Sequence, residues 1–390
     1  MLRRAVVAMM ILCVFVAVLI IPVEQEPTTP RMRGGYDIPG YILLGGQNGT
    51  WFTQGQFAKL SKVNLTDLAV ENVEPYDPDS QGTVWSGGWN GTQWLISGWG
   101  VDPGVNGSNP YLYLYDGQRQ ILAGSTNAYA PESTWRGGDI FCVSYNGHEW
   151  LLSGLGSGYL PGYVRGNHMA LATFNGSTFI DYSAIVPNQA DYILYANAWN
   201  GKYWLVGGGF AGSGALFTFN GTATVDLTNQ TQQAVPSFNA VQAIAWNGTS
   251  WLIGGDNFLA EFDGVHFRDL TSSLLASLGI GQYGLSVNSI VWNGWTWIIA
   301  GGPTRASLDR QAAWLAEYNE WGFLTLPLPT MMTEGDASIL SVAAMGNFIV
   351  AGGYANSHGI VLTLWNGNVD DLSYLIENDM SYVNWVAVDA

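Results

Sequence analysis

Short apolar runs separated by glycine-containing turns recur from residue 36 to residue 390. The clearest unit, Val241 to Thr271, reads VQAIAWNG, TSWLIGGD, NFLAEFDG and VHFRDLT. Each run is too short for a buried helix, and two of the three junctions are Asn-Gly or Asp-Gly, dipeptides that tolerate the positive φ angles of a type I′ hairpin turn. The unit therefore predicts four antiparallel strands. The first turn recurs at Asn90-Gly91, Asn146-Gly147, Asn200-Gly201, Asn247-Gly248 and Asn293-Gly294, and weakens to Met345-Gly346. The second recurs at Asp116-Gly117, Asn175-Gly176, Asn220-Gly221, Asp263-Gly264 and Asn366-Gly367.

Aligned on the second glycine of WLIGG, or the residue standing for it, the units fall at Gly45, Gly98, Gly154, Gly208, Gly255, Gly301 and Gly352, at intervals of about fifty residues. A four-strand repeat of that length is the signature of a β-propeller, whose blades bury their faces against one another. One unit is split: YILLGG from Tyr41 has no first strand before it, while YVNWVAV, Tyr382 to Val388, matches a first strand and stops where its turn would begin. The expected fold is all-β: a seven-bladed propeller of four-stranded antiparallel blades over residues 36–390, closed by the C-terminal strand. Closure removes the sheet edges that would otherwise invite aggregation.

Several features of this unit resemble a kelch-type repeat: hydrophobics ending in Gly-Gly, an aromatic some seven residues on (Phe262), and a second aromatic on the outer strand (Phe267). The chain departs from the pattern in its very tight turn between third and fourth strands and in Ser-Gly for Gly-Gly at Ser97 and Ser153. The resemblance implies a ring; rings of this kind host binding modules and a few oxidases, so it does not fix an activity.

Trp94, Trp150, Trp204, Trp251 and Trp297 share one repeat position and are read as blade packing, and the recurring Asp67, Asp181, Asp226, Asp269 and Asp371 as hydrogen-bond acceptors for the backbone or for hydroxyls. Of the two cysteines, Cys13 lies in the leader and Cys142 in a first strand, which argues against an intramolecular disulfide and for Cys142 as a small buried hydrophobe.

The formal net charge is −17, with Lys and Arg contributing 13 residues, which argues against nucleic acid as a partner. The segment 1–23 begins Met1-Leu2-Arg3-Arg4 and continues uncharged from Ala5 to Val23. At about 1.5 Å per residue such a helix spans roughly 28 Å, enough to cross a bilayer. No Ala-x-Ala cleavage pattern follows it, so it is read as an N-terminal transmembrane helix, an uncleaved signal anchor, with 24–35 as a stalk and the ring on the extracytoplasmic side of the cell membrane. The alternative is a secreted protein. Eight Asn-x-Ser/Thr sequons, at Asn48, Asn64, Asn90, Asn106, Asn175, Asn220, Asn229 and Asn247, fit an outside location, although those in Asn-Gly turns also arise from hairpin chemistry.

Candidate chemistry gathers on the face expected to carry the longer loops. Arg136, Arg165, Arg305 and Arg310 lie in those loops, with Trp135, His168 and His358. Guanidinium groups converging near the channel would suit a carboxylate or sugar acid, while pairing with nearby acids such as Asp139 and Asp309 is the plainer alternative. Asp77-Pro78-Asp79 falls short of a calcium loop, and the four histidines lie too far apart in the repeat for a metal cluster. No catalytic triad order, metal motif or cofactor motif is recognisable. The expectation is a membrane-tethered recognition module for a protein or glycan at the cell surface. Its alternatives are a carbohydrate-active hydrolase or lyase working from the long-loop face, and a structural component of the cell envelope.

Overall fold

In the computed structural model the described residues run from 40 to 388, apart from 50–56, 74–81, 102–107, 118–119, 123–137, 157–167, 189–191, 211, 282–284, 305–311 and 378. They form seven four-stranded antiparallel sheets. From the channel outward, blade five is Val241–Trp246, Trp251–Gly255, Phe258–Phe262 and Phe267–Asp269. Blade six is Ser286–Trp292, Trp297–Gly302, Trp314–Asn319 and Gly322–Thr325. Blade one is the composite: Tyr382–Val388 pairs with Tyr41–Asn48, which continues to Phe57–Asn64 and Val70–Asn72. Each innermost strand touches the innermost strands of both neighbouring blades, right round the ring. The seven-bladed ring is thus closed by the C-terminal strand.

The glycine pair has a packing cause. Opposite it, the innermost strand of every blade carries a register shift. A Cβ on the first glycine would meet a valine of the next blade: Val84 at 2.4 Å from Gly45, Val241 at 2.6 Å from Gly207, Val287 at 2.4 Å from Gly254. On the second it would strike the carbonyl oxygen of the bulged strand, at 1.9 Å for Gly208 and Gly255. The register corrects the alignment in two blades. Gly46 and Gly353, not Gly45 and Gly352, are the equivalents of Gly255, because they share its place beside the bulge. Where serine replaces the first glycine, its hydroxyl is used: Ser153 Oγ accepts a 2.7 Å hydrogen bond from Asn197 Nδ2 of the next blade.

The Asn-Gly turns are hairpin turns but not type I′. Gly91, Gly147, Gly201, Gly248 and Gly294 have φ between +92° and +99°, while the preceding asparagines keep negative φ. Instead, each asparagine Oδ1 accepts the backbone N–H groups two and three residues on, as Asn247 does from Thr249 (2.9 Å) and Ser250 (2.7 Å). This is an Asx turn, in which the side chain replaces a missing backbone acceptor. A type I′ pair occurs at Asn366-Gly367, with φ of 50° and 80°.

The recurring aspartates act as expected. Asp181, Asp226, Asp269 and Asp371 each accept the N–H two residues on, and the Ser or Thr there takes a third-strand N–H in turn, for example Leu259 N to Thr271 Oγ1 at 3.1 Å. Helices at Thr228–Ala234 and Thr271–Leu278 begin on this hook. Asp67 is different: it lies in the turn before the outer strand and accepts from Ala69. The repeated tryptophans Trp150, Trp204, Trp251 and Trp297 are buried, each against an innermost-strand aromatic, such as Trp246 on Trp251 at 4.8 Å. Cys142 packs toward the next blade, its Sγ 3.7 Å from the Asn197 carbonyl oxygen, and burial pushes its thiol up to about 11.

No helix among the described residues is long and apolar enough to cross a membrane. The expected anchor, 1–23, and stalk, 24–35, lie outside the described residues.

Candidate functional site

The loop residues singled out from the sequence cannot be brought together here: Trp135, Arg136, Arg165, Arg305 and Arg310 lie outside the described residues, as does Asn106. His168 is buried at the start of a third strand in blade three, and His358 is exposed at the start of one in blade seven, its Nδ1 2.9 Å from the Asn356 carbonyl oxygen. These are not adjacent blades. No cluster of metal-binding side chains occurs among the described residues.

At the channel, the bulged residues of six innermost strands fall into two unlike groups, while blade seven carries Leu340 there. Trp85, Phe141 and Tyr195 of blades two to four form an aromatic row, with ring centroids 5.3 and 5.2 Å apart. Asn384, Gln242 and Asn288 instead bond hydroxyls of the following blade, Thr83, Ser286 and Ser338. The position occupied by those hydroxyls is Asp139 in blade three, beside the aromatic row. Burial raises Asp139 from the usual carboxylate value of 3.8 to about 7.

A second arrangement lies at the tight turns. A groove of about 750 Å³ runs between blades five and six. Its floor is a charge network: Glu261 accepts from Ser250 Oγ at 2.8 Å and from Arg268 Nη2, and Arg268 also reaches the Tyr318 hydroxyl. Burial raises Tyr318, and the nearby guanidinium opposes that shift. Trp295 and Trp321 belong to its lining and are 77% and 88% exposed. The turns that carry them are fixed. Trp295 N–H donates to Asn293 Oδ1 and Trp321 N–H to Asn319 Oδ1, each at 2.9 Å, so each indole projects from a backbone held by an Asx turn.

Large exposed aromatics on fixed turns can bury area against a partner at low ordering cost. The same turn position holds Thr92, His148, Lys202 and Thr249 in blades two to five, so the tryptophan in blade six is a departure from the repeat. Sequence reading passed over both because it counted tryptophan as blade filling. Their signal was position: each stands inside a turn, two residues after an asparagine, where the other blades carry polar side chains such as Thr92, Lys202, Ser177 and Thr222, with Val265 the exception.

No protein-family profile matches the chain. No curated protein matches it in sequence. Among solved structures, it is similar to the β-propeller domain of the Trilobed protease from Pyrococcus furiosus, with 9% identity, TM-score 0.50, covering 85% of this chain and 92% of that one. That propeller is described as having an open velcro topology, whereas here the terminal strands pair. The chain is also similar to Pyrococcus horikoshii acylaminoacyl peptidase, with 9% identity and TM-score 0.50, covering 85% of this chain and 50% of that one. These likenesses concern the fold alone.

Proposed function

We propose that this propeller is a recognition module, tethered outside a cell membrane by its leading segment, that binds a protein partner through the tight-turn face of blades five and six. The observation that carries the reading is the pair Trp295 and Trp321, solvent-facing beside a groove whose floor is polar and internally paired. Protein interfaces are enriched in tryptophan and arginine, and a few such residues supply most of their binding energy. The repeat is read as kelch-like on its Gly-Gly and paired aromatics. The exposed sequons Asn64, Asn175, Asn220 and Asn229 are read as glycan acceptors on an extracytoplasmic surface.

Replacing both Trp295 and Trp321 by Ala should weaken partner binding by about 2–4 kcal/mol, roughly 30- to 1,000-fold. The melting temperature should hardly change, because neither indole is buried. Arrays of cell-surface proteins and of glycans, probed with the parent and the double variant, check this. Protein signals lost in the variant support the reading. Glycan signals lost in the variant would move the partner to carbohydrate, and binding unchanged by the substitution would remove this face from the account.

A further inference from the structure

Beside the groove, across the turn Asn293–Thr296, a smaller pocket of about 260 Å³ lies between blades six and seven. Leu326, Pro327, Ile349 and Leu364 supply apolar walls, and Glu317 supplies a carboxylate. Glu317 stands on the third strand of blade six, directly opposite Leu324 of the outer strand. The equivalent residue of blade five is Glu261, and opposite it stands Arg268, whose guanidinium it binds. In blade one the corresponding cross-strand pair is Lys62 and Glu71. Blades two, three, four and seven carry Leu114, Thr173, Thr218 and Thr363 there, which need no counter-ion.

Among the described residues, Glu317 is therefore the one charged side chain at this position without an opposite charge across the strand. The second donor is missing too: Ser250 serves Glu261, but its counterpart Thr296 points its hydroxyl at the Tyr318 carbonyl oxygen, 2.8 Å away. Among the described residues the Glu317 carboxyl has no hydrogen bond or ion pair, and burial raises it above the usual range. A half-buried carboxylate among leucines is costly unless a cation meets it. In blade five the equivalent carboxylate, Glu261, is met by a guanidinium.

We infer that the pocket between blades six and seven receives the side chain of an arginine presented by the protein partner, its guanidinium on Glu317 and its methylenes along the leucine walls. This rests on the reading of the tight-turn face as a protein-recognition surface. A guanidinium suits the site because its planar fork matches a carboxylate and its aliphatic stem packs on apolar surface. At about 260 Å³ the space is below the roughly 300–1,000 Å³ of ordinary small-molecule sites, which favours one long side chain. The chain's net charge of −17 favours a basic partner in the same sense.

The test is calorimetric titration of the full chain with an acetylated, amidated Gly-Arg-Gly peptide and with its citrulline counterpart, which keeps the shape and lacks the charge. The arginine peptide should bind at least about tenfold more tightly. Glu317→Gln should erase that preference, and so should Leu324→Arg, which supplies from within the cation that blade five already has. Because Leu324 is 61% exposed, the second variant should fold even if the first does not. Equal binding of the two peptides, or a preference that survives both substitutions, would overturn the inference. The two readings fail separately. Loss of the arginine preference with tryptophan-dependent partner binding intact removes only the pocket, and the reverse pattern removes only the wider surface.

Discussion

Deleting residues 380–390 should abolish the folded ring rather than trim it. The strand Tyr382–Val388 is the innermost strand of blade one, paired along Ile42 to Gln47. Val383, Trp385 and Val386 are buried in two clusters, one shared with blade seven and one with blade two, and Tyr382 is buried as well. At about 1.5–3 kcal/mol per large buried side chain, these four account for roughly 6–12 kcal/mol. That is comparable with the whole stability of a typical domain, about 5–15 kcal/mol. Deletion also opens a sheet edge at Tyr41–Asn48. Thermal melting and size-exclusion chromatography check the outcome: no cooperative transition and an aggregated sample are expected. A truncated protein that melts like the parent would mean that the ring does not depend on its closing strand.

Asp139→Asn is expected to stabilise the protein at neutral and alkaline pH. The carboxylate is raised to about 7 by burial, and among the described residues no hydrogen bond or ion pair reaches it. Between about pH 4 and pH 7 the folded state holds this proton more tightly than the unfolded chain, so its contribution is fully present below about pH 4 and is lost as the pH rises to about 7. A carboxyl moved from 3.8 to about 7 corresponds to about 4 kcal/mol at most. The amide that replaces it carries no charge at any pH. Denaturant unfolding of parent and variant should therefore give stabilities that diverge steadily from about pH 4 to about pH 7 and then run parallel. Curves that stay parallel throughout would show that Asp139 is not held protonated by its surroundings.

The ring was legible because its determinants are local. An asparagine that must cap its own turn, and a glycine pair that must admit both a valine of the next blade and a bulged strand, leave marks at fixed spacing. The composite blade was legible for the same reason: YVNWVAV carries the first-strand pattern wherever it lies in the chain. What escaped was register. The bulge opposite the glycines moves Gly46 and Gly353 into the column where pattern matching put Gly45 and Gly352, and only pairing between strands reveals it. The same limit hid Glu317, since its lack of a counter-ion is visible only once Leu324 is known to stand opposite. Trp295 and Trp321 were concealed by composition: among 18 tryptophans, those that fill blades mask those that leave them.

The claim that blade six presents the recognition surface is tested most directly by site-specific photocrosslinking on intact cells. A photoreactive amino acid would replace Trp321 in one sample and Thr92, which occupies a tight turn of blade two, in another. Position 321 should yield a protease-sensitive, glycosidase-resistant adduct, and position 92 should yield none. An adduct formed equally from both positions, or from position 92 alone, would contradict the assignment of partner binding to blades five and six.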